Sequence, residues 1–201
     1  MSKLKLIVVL TLFGSLLPVL TSKAQRFKEG YYYTNEGEKV VGQVRHVFSA
    51  KFGNMGDNTI VFRERKGAKK LKLDSYEIKS FVIEKDSFIV VKNFKINAFA
   101  NYSRDFAKVL ISGKLTLLLH HTTATNGSGA VMMTTPVTTY LINGQGKTRR
   151  MSTNKDFRQV LPTFLVGAPE IIEKIESKDY SKPHLRQIIR EYNEKFESKK
   201  T

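Results

Sequence analysis

The chain has 201 residues and no cysteine, so thiol catalysis, cysteine-based zinc sites and a small disulfide-stapled module are excluded. Its 34 Lys and Arg against 18 Asp and Glu give a formal net charge of +16. Such a field favours anionic partners: lipid headgroups, acidic polysaccharide, nucleic acid or an acidic protein.

Residues 1–24 read as a secretory signal peptide. Lys3 and Lys5 make a positive start, residues 6–20 an apolar run, and Pro18 disrupts the helix. Ser22-Lys23-Ala24 then sets small residues before a cut after Ala24. The apolar run is shorter than the roughly 20 residues a spanning helix needs, and no cysteine follows it to carry a lipid anchor. The expectation is an exported chain, periplasmic or extracellular, that starts at Gln25. Export makes nucleic acid an unexpected partner.

Short strands separated by turns follow. Residues 31–34 are aromatic and β-prone, Asn35-Glu36-Gly37 is a turn signal, and 39–47 resumes as the second arm of a hairpin. Residues 52–58 read as a loop. Strands at 59–62 and 71–73, at 81–83 and 88–91, and at 107–111 and 115–119 make three further hairpin patterns. A Val-, Thr- and Tyr-rich strand at 131–142 ends at Asn143-Gly144-Gln145-Gly146, and a short return is expected at 148–151.

The hydrophobic period then changes from 2 to about 3.6. Phe157, Val160, Leu161, Phe164 and Leu165 lie on one helical face, Thr153 and Asp156 form a capping pair, and Pro162 predicts a kink or early end. Ile171, Ile172 and Ile175 mark a second helix after Pro169. Leu185, Ile188, Ile189, Tyr192 and Phe196 mark a third, starting near Ser181-Lys182-Pro183. The expected fold class is α+β: an antiparallel β-sheet or partly closed barrel (25–152), followed by two or three C-terminal helices (153–201) that pack on it as one domain. An outer-membrane barrel is disfavoured, because no sustained apolar-out, polar-in band runs through the strands.

Few residues carry chemistry. His120-His121 is the most conspicuous pair, but neighbours in a strand point to opposite faces. His46 and His184 supply no metal-ligand spacing, so no metal or cofactor is expected. Gly144-Gln145-Gly146-Lys147-Thr148 lacks the first glycine of a phosphate loop, and Leu141 stands there instead. Ser112 has no nucleophile elbow around it. Asp105 and His120 are one of many dyads that such a chain could offer. Glu36 and Glu38 flank a turn, and Asp74 and Glu77 fit a capped turn. Asn101-Tyr102-Ser103 and Asn126-Gly127-Ser128 match the N-glycosylation pattern. Residues 122–130 are small and polar, as at a hairpin tip.

Charge is unevenly spread. Arg63, Arg65, Lys66, Lys69, Lys70 and Lys72 crowd residues 63–72 with only Glu64 opposing them, which makes this hairpin the best candidate contact surface. A solvated sheet edge protected by cations is the competing explanation. Between Asp105 and Asp156 there is no other acid, while Lys108, Lys114, Lys147, Arg149, Arg150 and Lys155 are present.

Gly30-Tyr31-Tyr32-Tyr33-Thr34-Asn35-Glu36-Gly37 with Val41-Gly42, Phe106-Ala107-Lys108-Val109-Leu110 with Gly113-Lys114-Leu115, and Ile188-Ile189-Arg190-Glu191-Tyr192-Asn193 together resemble uncharacterised secreted proteins of Bacteroidota. The resemblance implies a source and a compartment and no activity. The expected function is a non-catalytic envelope protein that binds an anionic surface, glycan or protein partner. The alternative is an envelope hydrolase of glycan or peptide with His120 or His121 as base.

Overall fold

A computed structural model describes residues 26–48, 58–97, 100–126 and 133–197. The expected signal peptide, most of the 52–58 loop, the Asn126-Gly127-Ser128 acceptor beyond Asn126 and the tip of 122–130 lie outside the described residues.

Ten strands form a single antiparallel sheet: β1 (Lys28–Thr34), β2 (Lys39–Phe48), β3 (Asn58–Arg63), β4 (Leu71–Leu73), β5 (Ile78–Ile83), β6 (Asp86–Lys95), β7 (Asn101–Ile111), β8 (Thr116–Asn126), β9 (Met133–Gly144) and β10 (Lys147–Arg150). All the expected hairpins are present. The turn after β9 has Gln145 at φ 53° and Gly146 at φ 71°, the left-handed pair that a two-residue hairpin turn demands.

The strand order is β10-β9-β8-β7-β6-β5-β1-β2-β3-β4. The chain therefore walks outward from β1 to β4, then returns to lay β5 on the far side of β1. Only residues 74–77 make that return. Five residue steps reach at most about 18 Å, whereas four strand spacings in a flat sheet span about 19 Å. The sheet meets this demand by coiling. β2 comes against β5 and β8, β3 against β7, and β10 against β6. Arg150 of β10 donates to the carbonyl of Ile96, just past β6.

Coiling creates two cores inside the sheet. Tyr32, Val44, Ile60, Phe62, Ile78, Phe81, Phe88 and Phe106 fill the first. Val91, Phe94, Ile96, Ala100, Tyr102, Ala107, Leu118 and Leu141 fill the second. The C-terminal segments bury a third core against Leu115, Leu117 and Ile142 of the β8–β9 end, and no residue of β1–β4 belongs to it.

The first C-terminal segment is not a regular α-helix. A π-type turn at Asp156–Val160 runs into a 3-10 turn at Leu161–Phe164. Pro162 has no N–H to give and its ring obstructs the preceding turn, so the expected helix is broken into these two pieces. Its apolar face is nonetheless buried as expected. Asp156 Oδ2 accepts from Thr153 N at 2.9 Å while Thr153 Oγ1 accepts from Asp156 N at 3.0 Å, a reciprocal cap. Helices α1 (Pro169–Glu176) and α2 (Leu185–Glu197) follow, with Ser181 and His184 closing a capping box before α2.

Asn193 fastens α2 to the β7–β8 turn. Its Oδ1 accepts from Leu115 N at 2.8 Å, and its Nδ2 donates to Leu115 O at 2.8 Å. Gly113 permits this approach, since a Cβ there would stand 2.4 Å from the Asn193 amide. Asn193→Leu would strand both backbone groups of Leu115. The expected cost is about 2 kcal/mol, read as a lower urea midpoint with an unchanged slope. An unshifted midpoint would mean that the clasp adds nothing.

Candidate functional site

The six cations singled out from sequence all lie on the β3–β4 hairpin at the free edge of the sheet. Arg63 ends β3, Arg65 and Lys66 begin the connection, Lys69 and Lys70 end it, and Lys72 is the middle of β4. The connection turns through Gly67, at φ 88°, with Ala68 N donating to Arg65 O at 3.1 Å. Arg65, Lys66, Lys69, Lys70 and Lys72 are exposed, and none forms an ion pair among the described residues.

Register decides which of them can act together. Val61 pairs with Lys72, and Gln43 pairs with Arg63. Lys72 therefore shares the outer face with Val61 and Arg63, opposite the face where Ile60 and Phe62 are buried. Continuing the same register sets Lys70 beside Arg63. Arg65, Lys66 and Lys69 extend from the turn instead.

The structure joins to this face residues that the charge run did not point to. Gln43 pairs with Glu29, Val41 with Tyr31, and Lys39 with Tyr33, so the outer face continues across β2 and β1. Arg63 lies 4.0 Å and Arg45 5.1 Å from the centroid of Phe27. Arg63 Nε also donates to Gln43 Oε1 at 2.9 Å. Lys39 Nζ sits 4.0 Å over Tyr31, whose ring meets Tyr33 edge-on at 5.6 Å. Val41 is 65% exposed between them. The one carboxylate that register puts here, Glu29, accepts from Gln43 Nε2 at 2.7 Å. Tyr31 and Tyr33, two residues apart in a strand, were the sequence signal for this face; their union with Arg45 and Arg63 depends on pairings that no local pattern encodes.

The histidines go elsewhere. His120 and His121 do point to opposite sides. His120 is fully buried against Phe94 and Tyr102, while half-buried His121 faces Phe48. His120 Nε2 and Asp105 Oδ2 are 2.7 Å apart, so this dyad does form. Asn58 joins it: its backbone N donates to Asp105 Oδ1 at 3.0 Å, and its Nδ2 to Asp105 Oδ2 at 2.9 Å and His121 O at 2.8 Å. The cluster thus ties β3 to β7 and β8 at the seam of the coil. Burial raises Asp105 above the usual carboxylate range, against the pull of His120 and of the N–H groups of Phe106 and Asn58. Nearby His46 is pushed down to about 4, first by burial and then by the charges of His121 and His120. A base must reach its substrate, and His120 is 0% exposed among the described residues.

The Asp74 and Glu77 pair has a structural role. Asp74 Oδ1 and Glu77 Oε2 accept from Tyr76 N and Asp74 N, capping the return to β5. Among the described residues, no group of three His, Asp or Glu side chains is placed to hold a metal ion. Nor is any helix there long and apolar enough to cross a membrane.

Comparisons with protein-family models, with curated proteins and with solved structures returned no match for this chain.

Proposed function

We propose that this chain is an exported, non-catalytic envelope protein that binds an anionic surface, glycan or protein partner through the β3–β4 hairpin. The observation that carries this reading is the set of cations at 65–72: exposed, on one hairpin, and without carboxylate partners among the described residues. Cations that serve only to blunt an edge need no companions, whereas here Arg63 is held in place by Phe27 and Gln43. The signal-like residues 1–24 support the compartment.

The test is capture of partners from the native host's envelope fraction by the tagged chain, eluted with a salt gradient. Reversing Lys66, Lys69, Lys70 and Lys72 to Glu should remove the captured partner or shift its elution to much lower salt. A loss of at least about tenfold in affinity at low salt is expected, shrinking as salt screens the field. The double variant Lys147→Glu/Arg149→Glu, on β10 at the other end of the strand order, should elute with the parent. Equal elution of the fourfold variant and the parent would sink the proposal.

A further inference from the structure

We infer that the ligand is an acidic polysaccharide, laid across the outer face of β1–β4 with its sugar rings over Tyr33 and Val41 and its anions on Arg45, Arg63, Lys39, Lys70 and Lys72. The inference rests on the anionic-partner reading above and adds the ligand class and the face.

Among the described residues, no helical side chain joins the cores that β1–β4 build. The apolar side chains of the helical segments are buried against the β8–β9 end instead. The cations of the outer face are set in order before any ligand arrives. Arg45 and Arg63 rest on Phe27, and Lys39 rests on Tyr31. A guanidinium or ammonium so held loses less rotamer freedom on binding than a free one.

Along the strands the cations stand as a cluster of four and a single lysine. Arg63, paired with Gln43, belongs to one end, and Lys39 to the other. Four strand residues separate those rows, roughly 13 Å at the usual rise. Between them lie Tyr31 and exposed Val41, an uncharged interval. A polysaccharide with charged groups spaced along an otherwise neutral, flat backbone matches that alternation. Its ring C–H faces suit tyrosine rings, and its hydroxyls suit Gln43 and the tyrosine O–H groups.

Charge complementarity separates this ligand from other anions. A bilayer surface is engaged by apolar side chains that enter the acyl boundary. This face offers one exposed valine and half-buried rings that lie low among charges. An acidic protein would be expected to meet an unpaired cation field alone, and would not need the neutral interval.

The experiment uses the full chain and measures binding to alginate, heparin, dextran, a poly-dT oligonucleotide and phosphatidylglycerol vesicles at low and moderate salt. Alginate or heparin should bind, and dextran should not. Val41→Glu puts an anion at the middle of the face, at a position exposed enough to accept it at a small folding cost. It should weaken polysaccharide binding at least about tenfold, as should Tyr33→Ala. Little-changed thermal melting of Val41→Glu keeps the result interpretable if Tyr33→Ala loses stability.

The readings fail in different ways. If Val41→Glu binds like the parent while the fourfold hairpin reversal does not bind, this face is not the site and only the hairpin reading stands. Preference for vesicles or oligonucleotide over both polysaccharides would overturn the ligand class. Failure of every anionic probe would overturn the polysaccharide inference, and envelope capture would then decide the broader reading by itself.

Discussion

Asn58→Ala is expected to lower stability by about 3 kcal/mol, because it strips hydrogen-bond donors from a buried seam. The Asn58 amide Nδ2 stands 2.9 Å from Asp105 Oδ2, 3.2 Å from Phe106 O and 2.8 Å from His121 O. Two protons serve these acceptors, so the bonds are shared and the NH2 has no spare donor. Truncation takes this donor from Asp105 and from the carbonyls of Phe106 and His121 at once, inside a buried cluster. The residue also holds the start of β3 to β7 and β8, which are distant in strand order but adjacent across the coil. Urea unfolding should show a lower midpoint. Asn35→Ala removes a comparable amide bond, to Tyr76 O at 2.8 Å, but from an exposed site. It should change stability by no more than about 0.5 kcal/mol. Equal effects of the two substitutions would show that the seam is not what closes the coil.

Acid should destabilise the fold through His46. Its folded value of about 4 lies below the ordinary 6.5. Between those values the unfolded chain binds the proton and the folded chain does not, so stability falls as pH drops through that window. At about 1.4 kcal/mol per pH unit, the full loss approaches 3 kcal/mol near pH 4. Burial likewise lowers His121, which adds to the loss. Asp105 acts in the opposite sense. Its raised folded value means that the folded chain holds the proton more tightly, so stability gains as pH falls through that value toward 3.8. The net expectation is a marked fall in urea midpoint between pH 7 and pH 4.5. His46→Leu, among the rings of Phe48, Phe81 and Phe88, should flatten it. Parallel pH profiles for parent and variant would remove His46 as the cause.

The local parts of this fold were legible because each obeys a short-range rule. Turn residues at Asn35-Glu36-Gly37 and Gln145-Gly146 bracket alternating strands, and the stripe of Leu185, Ile188, Ile189 and Tyr192 marks α2. Less was legible where charge interrupts the alternation. Lys92, Asn93 and Lys95 obscure the far half of β6, and Ser103, Arg104 and Asp105 the near half of β7, although Phe94 and Tyr102 stack there in the core. Asp105 belongs inside only because Asn58 and His120 arrive from other strands to satisfy it. The candidate site divides in the same way. A run of cations within ten residues is visible in one dimension, but the placement of Phe27 and Arg45 beside Arg63 follows from two strand registers.

The order of the strands carries a consequence for synthesis. β1 precedes every other described strand yet stands in the interior of the sheet, bonded to β2 on one side and β5 on the other. A growing chain can zip β1 to β2 early, but the opposite border of β1 stays bare until residues 78–83 emerge. During that interval Tyr31, Tyr32 and Tyr33 offer unpaired backbone and aromatic surface, a template for neighbouring nascent chains. Emergence of Ile83 thus covers that border of β1 and passes the open border to β5, which keeps it until residues 86–95 emerge and β6 pairs with it.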